Sequence, residues 1–203
     1  EWFRSRFVLD RNAARVLSRK PLPGPSEGTR DGNVNTNLMN VGGKLCAVVE
    51  AGSIPVELDY ELASVRRTDF DGTLEAGFTG HPKFDPITGE HHALAYEPFQ
   101  PVRYISVDHD GRATTKARID LPHIPLIHDM AFTQSFIIVP DFPVTFQPGL
   151  SHTGFPWLWD ERRDSRIGLL PRNGDGSRIQ WFEAPRCFAF HFANAYDDGD
   201  LTI

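Results

Sequence analysis

Three of the eight histidines lie in apolar sequence and not in charged loops. His81 follows a Gly-Phe-Thr-Gly run, His128 lies within Pro-Leu-Ile-His-Asp-Met-Ala, and His191 lies within Cys-Phe-Ala-Phe-His-Phe. Neutral imidazole is a common metal ligand, and imidazole can also carry a proton during catalysis. Together the three side chains could form an all-nitrogen metal site, whereas each one taken singly is more often a hydrogen-bonded core residue.

The spacing of these histidines matches a repeated β-sheet unit. They are 47 and 63 residues apart, and one four-stranded blade of a β-propeller takes ~40–50 residues. One histidine per blade, on the strand nearest the axis, would bring the imidazoles together at the centre. The spacing alone does not decide between a metal site on a propeller axis and a core role for each histidine.

The other five histidines have settings that do not favour chemistry. His91 and His92 are neighbours, so on a strand they point to opposite faces and cannot both face one metal. His109 lies in a predicted turn, His123 lies between prolines, and His152 lies in a long polar segment. We expect none of the five to be a ligand.

Other chemistries have little support in the sequence. It contains no His-Glu-x-x-His, Gly-x-Ser-x-Gly or P-loop motif. Nor does it show a distinctive carboxylate pair of the kind that glycoside hydrolysis needs. Lys and Arg total 21 against 27 Asp and Glu, a net charge of −6, with no basic run to neutralise phosphates. We therefore expect no nucleic-acid partner.

The two cysteines, Cys46 and Cys187, are too far apart in sequence for a Cys-x-x-Cys metal or redox motif. The lack of a cysteine pair also argues against a generic zinc-binding β-domain. We expect two buried free thiols in a reducing compartment, with one long-range disulfide as the open alternative.

The elements that must position these residues are predicted to be strands. Seventeen Gly and 16 Pro separate short runs rich in β-branched and aromatic residues. The predicted strands are Lys44–Glu50, Val102–Asp108, Leu126–Thr133, Ser135–Pro140 and Ile179–Glu183. Helical periodicity occurs only near Arg6–Arg19, and Phe142–Ser177 is expected to be a long loop. The pattern predicts an all-β protein: a sandwich, a barrel or, with no alternating helices, a propeller.

Several ordered motifs resemble the carotenoid cleavage oxygenase family, which includes stilbene-cleaving dioxygenases, retinoid isomerohydrolases and the retinal pigment epithelial membrane protein. The matching stretches are Asn35–Asn37, Leu45–Gly52, Gly80–Glu90, Ile127–Thr133, Trp181–Glu183 and His191–Asp197. They cover essentially the whole chain in the right order.

The resemblance implies a seven-bladed β-propeller with Fe(II) on its axis, held by four histidines. His81, His128 and His191 would be three of these ligands, and the fourth would lie outside this chain. Residues 1–203 are then expected to form a single incomplete propeller domain of about three to four blades. It would lack both its N-terminal start and its C-terminal blades, and by itself it would be inactive.

Three further positions carry expectations from the family pattern. Glu50 matches a glutamate that supports a ligand imidazole, and such a carboxylate fixes the ring and its tautomer. Thr36 matches a residue that crowds a vacant coordination position. Val49 stands where stilbene-cleaving members have a lysine that recognises a phenolic hydroxyl, so an apolar polyene substrate is favoured.

The resemblance implies a non-haem Fe(II) dioxygenase that cleaves a conjugated C=C bond of a carotenoid or apocarotenoid with O2 to give two carbonyl products. Alternatives within the family are stilbene cleavage and a non-oxidative isomerohydrolase. An alternative from another class is a propeller that serves only as a binding module. We expect a cytoplasmic protein, with peripheral membrane contact and the oligomeric state left open.

Overall fold

The computed structural model describes residues 34–153 and 155–203 of the chain. In these residues the backbone forms sixteen β-strands and one 3-10 helix, Pro148–Thr153, and it forms no α-helix. The all-β prediction is confirmed for this part of the chain. The helix predicted near Arg6–Arg19 lies outside the described residues.

The first two sheets each contain four strands, and every strand pairs antiparallel with the next one in sequence. In chain order they are β1 (Asn37–Val41), β2 (Lys44–Val48), β3 (Val56–Leu58) and β4 (Ser64–Arg67), then β5 (Lys83–Phe84), β6 (His91–Ala95), β7 (Val102–Val107) and β8 (Ala113–Ile119). The turn between β1 and β2 has φ values of 57° and 70° at Gly42 and Gly43, a left-handed conformation that glycine adopts without a steric penalty.

The third sheet has the order β9, β10, β13, β14, with an extra hairpin between its second and third strands. The strands are β9 (Ala131–Phe132), β10 (Phe136–Asp141), β11 (Val144–Phe146), β12 (Trp157–Trp159), β13 (Ser165–Pro171) and β14 (Gln180–Ala184). Strands β11 and β12 pair with each other, and a final two-stranded sheet joins β15 (Asp197–Asp198) to β16 (Leu201–Thr202). The prediction of a long loop over Phe142–Ser177 is therefore wrong, because this segment contains the strands β11, β12 and β13.

Side chains of β6 show how the second sheet packs on both neighbours. Ala93 and Ala95 belong to a buried cluster with Met39 and other residues of the first sheet. Leu94 belongs to a second cluster with Ile137 of the third sheet. Successive residues of a strand point to opposite faces, so this strand is apolar on both faces. Burial of each large side chain in these clusters contributes about 1.5–3 kcal/mol.

Four of the five predicted strands are confirmed with ends shifted by one or two residues, as β2, β7, β10 and β14. The fifth, Leu126–Thr133, is wrong over most of its length, since only Ala131–Phe132 is a strand. The Leu126 amide instead donates to the Val144 carbonyl, beside an isolated bridge of Pro125 with Thr145. The apolar run reflects burial of residues 126–127 and 129–131, and burial does not require strand pairing.

Both cysteines are free thiols. Cys46 is buried on β2, and burial raises the pKa of its thiol to about 11, so it stays protonated at neutral pH. Cys187 is exposed, which corrects the expectation that both would be buried. Among the described residues, the structure contains no helix with the length and hydrophobicity that a membrane span requires.

Candidate metal centre

Each of the three predicted ligands lies just before the first strand of its own sheet. His81 precedes β5, His128 precedes β9, and His191 precedes β15. The prediction that they lie on these strands is wrong by two to six residues, because the strand pairing starts only after each histidine. Thr36 likewise directly precedes β1, the first strand of the first sheet. Thr36 and the three histidines therefore each lie before the first strand of a different sheet.

The structure brings the three imidazoles together. The Nε2 atoms of His81 and His128 are 3.0 Å apart. The His81 ring centroid lies 4.5 Å from that of His128 and 4.8 Å from that of His191, and the His128 and His191 centroids are 5.1 Å apart. One nitrogen of each ring lies within 4.8 Å of the others. The three side chains can therefore contribute to one metal site.

These separations fit the dimensions of metal coordination. With metal–nitrogen bonds of about 2.1 Å, two ligands at 90° lie about 3.0 Å apart, which is the observed separation between His81 and His128. Ligands at opposite positions would lie about 4.2 Å apart. The three ligand atoms span at most 4.8 Å, slightly more than that distance.

Glu50 holds the ring of His128. Its Oε1 lies 2.7 Å from His128 Nδ1, and the other oxygen, Oε2, accepts a 3.4 Å hydrogen bond from the Thr36 hydroxyl. A carboxylate is an acceptor, so the shared proton belongs on Nδ1 of His128. The Nε2 atom then presents its lone pair toward His81, as a metal ligand must.

Gly80 leaves room for this arrangement. A Cβ built on Gly80 would overlap Glu50 Oε2 and would lie 2.9 Å from Cγ2 of Thr36. The absence of a side chain at this position therefore lets the glutamate and the threonine lie against the backbone that leads into His81.

The surroundings of His81 lower the pKa of its imidazole on balance. Burial lowers this pKa, and the neighbouring His128 and His191 lower it further, although the nearby Asp129 carboxylate raises it. His81 and His128 are half-buried and His191 is exposed. Ligand nitrogens must face a space that admits a metal and a substrate, so complete burial is not required of them.

Sequence reasoning gave no role to two residues that surround the site. The ring of Phe190 packs edge-on against His128, with 5.4 Å between centroids. Asp129 is buried and pairs with Lys83 at 2.7 Å. Burial would raise the pKa of the Asp129 carboxyl, but Lys83 and two backbone N–H groups outweigh it and hold the pKa below its ordinary value. The available signal was an acidic residue next to His128 in an apolar run.

The remaining histidines with described side chains lie elsewhere. His91 and His92 are buried on β6, where His91 contacts Phe84 and His92 contacts Tyr104. His123 Nε2 lies 2.8 Å from Oδ1 of Asp141. His109 is exposed. Only the backbone of His152 is described, and it belongs to the 3-10 helix.

A family model described as retinal pigment epithelial membrane protein matches residues 3–203. The chain belongs to this family. A carotenoid cleavage oxygenase of Mycobacterium tuberculosis is 30% identical over 242 residues, which cover 97% of this chain and 48% of that protein. An isoeugenol monooxygenase of Pseudomonas putida is 35% identical over 210 residues, which cover 98% of this chain and 44% of that protein.

The fold of this family member also matches solved structures. The crystal structure of Pseudomonas brassicacearum lignostilbene dioxygenase superposes with a TM-score of 0.81 at 26% identity, covering 98% of this chain and 44% of that one. Together with the successive four-stranded antiparallel sheets, this likeness confirms the prediction of a partial β-propeller. The chain spans about half the length of these relatives. In residues 34–153 and 155–203 the strands form separate open sheets.

Proposed function

We propose that this chain is part of a non-haem Fe(II) dioxygenase that cleaves a conjugated C=C bond of a carotenoid or apocarotenoid. O2 is the second substrate, and two carbonyl compounds are the products. The observation that carries the proposal is the convergence of three imidazoles from three sheets, with the nitrogens within 4.8 Å of one another. Relatives that are named oxygenases support the class of reaction.

The donor set suits ferrous iron. Imidazole is a ligand for iron among other transition metals, and three neutral nitrogens add no charge to a divalent ion. When bound, the iron would supply the activation of O2 toward the alkene. His81, His128 and His191 would hold it, together with the fourth histidine that the family resemblance implies.

Residues of this chain would keep the ligands ready for the metal. Glu50 would hold the His128 ring and keep its proton on Nδ1, so that Nε2 stays available. Burial would keep His81 unprotonated, which a ligand requires. Thr36 lies against Glu50 and beside Gly80, and its side chain would narrow the space next to the iron.

An apolar polyene is the substrate class that we favour. Val49 directly precedes Glu50 and packs against the buried apolar cluster that contains Ala47 and Val56. A side chain of this kind offers no charge or hydrogen bond to a phenolic hydroxyl. The proposed substrate is therefore recognised through its long apolar body, held with one double bond beside the metal.

A second candidate substrate class is a phenolic alkene. The relatives named isoeugenol monooxygenase and lignostilbene dioxygenase cover 98% of this chain. Incubating the full-length protein with a carotenoid, an apocarotenoid, a stilbene and isoeugenol would rank these substrates. Measuring O2 uptake in the same assay separates oxidative cleavage from an isomerohydrolase, and a protein inert with every substrate would indicate a binding module.

The variant His128→Ala in the full-length protein tests the metal site. We expect its iron content after purification to fall at least about tenfold, and C=C cleavage to be lost, because a ligand is removed. His123→Ala is the matched control, since His123 also bonds a carboxylate, at 2.8 Å, but belongs to a different cluster. Iron content in His128→Ala equal to that of the control would contradict the proposed ligand role.

A further inference from the structure

We propose that Asp129 is the positioning residue that sets the mutual placement of the three histidines. This inference rests on the metal site of the proposed function and extends it to a residue outside the ligand set. It starts from the fact that one buried carboxylate contacts all three of the chain segments that carry the imidazoles.

The contacts of Asp129 use both of its oxygens. Oδ1 lies 2.7 Å from Nζ of Lys83 and accepts a 2.7 Å hydrogen bond from the Met130 amide. Oδ2 accepts a 3.0 Å hydrogen bond from the Phe192 amide. The carboxylate is only 1% exposed, so these partners replace the water that a buried charge loses.

Lys83 and Phe192, the two distant partners of Asp129, each lie within two residues of a histidine of the site. Lys83 lies two residues after His81, on the first strand of the second sheet. Asp129 directly follows His128, and Phe192 directly follows His191. A shift of any one histidine-bearing segment would therefore lengthen a bond to the same carboxylate.

His191 should depend on this link most strongly. Residues 185–196 form no strand, so the backbone around His191 is not held in a sheet ladder. The bond from the Phe192 amide to Asp129 anchors this segment one residue from the imidazole. Its loss would let the His191 ring move away from the His81–His128 pair.

The test compares Asp129→Asn with Asp141→Asn in the full-length protein. Asp141 is an equally buried carboxylate that contacts His123 at 2.8 Å and Arg166 at 2.7 Å. None of these residues belongs to the site formed by His81, His128 and His191. Each protein is prepared without metal and titrated with Co(II) against a chelator. We expect a 10–100-fold weaker affinity and a changed cobalt absorption spectrum in Asp129→Asn only.

Loss of affinity in Asp129→Asn no greater than in Asp141→Asn would overturn the inference. Parent protein that binds no cobalt would instead refute the metal site of the proposed function, so the two failures differ. If Asp129→Asn does not fold, Lys83→Met carries the test, because it removes one partner from a half-buried position. Lys83→Met should weaken cobalt binding, whereas Lys83→Arg, which keeps the positive charge, should bind cobalt nearly as tightly as the parent. Equal affinities in the two variants would contradict the proposal.

Discussion

Each oxygen of the Glu50 carboxylate has its own partner: Oε1 faces His128 Nδ1 and Oε2 faces the Thr36 hydroxyl. This division leaves the side chain little freedom to rotate. Gly80, one residue before His81, also lies beside this carboxylate, and a Cβ at this position would overlap Oε2. At the scale of single residues, the positions of Glu50 and Thr36 therefore depend on glycine, which has no side chain, at position 80.

The substitution Gly80→Ala should weaken metal binding more than it weakens folding. The added Cβ meets the far end of the Glu50 side chain, which must turn away and release His128. We expect an affinity for Fe(II) about tenfold lower, measured by chelator competition. Gly149→Ala is the control, because its Cβ meets no atom within 4 Å. Unchanged affinity in Gly80→Ala would show that the carboxylate has another position open to it.

At the scale of strands, β6 joins two sheets through a buried histidine. Arg172, which directly follows β13, places its guanidinium 2.7 Å from His92 Nε2 and 2.6 Å from Asp85 Oδ2. A guanidinium can only donate, so Nε2 is an acceptor and the proton lies on Nδ1, toward the Tyr104 hydroxyl at 3.0 Å. Protonation of His92 would break its bond with Arg172.

This contact predicts a loss of stability in mild acid. Burial, and then the charge of Arg172, lower the pKa of His92. Below the unfolded-state value of about 6.5, the unfolded chain binds a proton that the folded protein does not, so stability falls as pH falls, by up to about 1.4 kcal/mol per pH unit. Urea unfolding at pH 7.5 and 5.5 should show a smaller pH effect in His92→Gln than in the parent, and no such change in the exposed control His109→Gln. Equal pH effects in His92→Gln and the parent would contradict this assignment.

The strands also show what the sequence could predict. Four strands were predictable because β-branched and aromatic runs ended at turn residues. The spacing of His81, His128 and His191 suggests one site but does not decide it, and only the family resemblance groups them as ligands. The contact between Phe192 N and Asp129 was not predictable, since a backbone donor leaves no mark in the sequence. The irregular backbone of residues 126–130 could not be predicted either, because an apolar run indicates burial and does not show whether the backbone pairs with another strand.

At the scale of the whole molecule, the sheets meet through close backbone contact as well as through apolar side chains. A Cβ on Gly77 would overlap the backbone of Gly52, which belongs to the connection after β2. The Gly77 carbonyl also accepts a 2.7 Å hydrogen bond from Arg103 of β7. Both glycines are buried, so this contact helps set the distance between the first and second sheets.

The substitution Gly77→Ala should therefore destabilise the packing of these two sheets. The obstacle is backbone and cannot rotate away, so we expect a loss of about 1–3 kcal/mol in the free energy of unfolding. Thermal and urea unfolding of the metal-free full-length protein would measure it, with Gly149→Ala as the unhindered comparison. A variant as stable as the parent would mean that the two connections can separate without affecting the sheets.

The order of the sheets along the chain has a consequence for biosynthesis. Each four-stranded sheet is assembled from one continuous stretch of sequence, so it can form as soon as that stretch leaves the ribosome. The three imidazoles, in contrast, emerge one after another, at residues 81, 128 and 191. A metal ion could therefore meet all three nitrogens only after three sheets have been synthesised, so the proposed metal would be bound late in maturation.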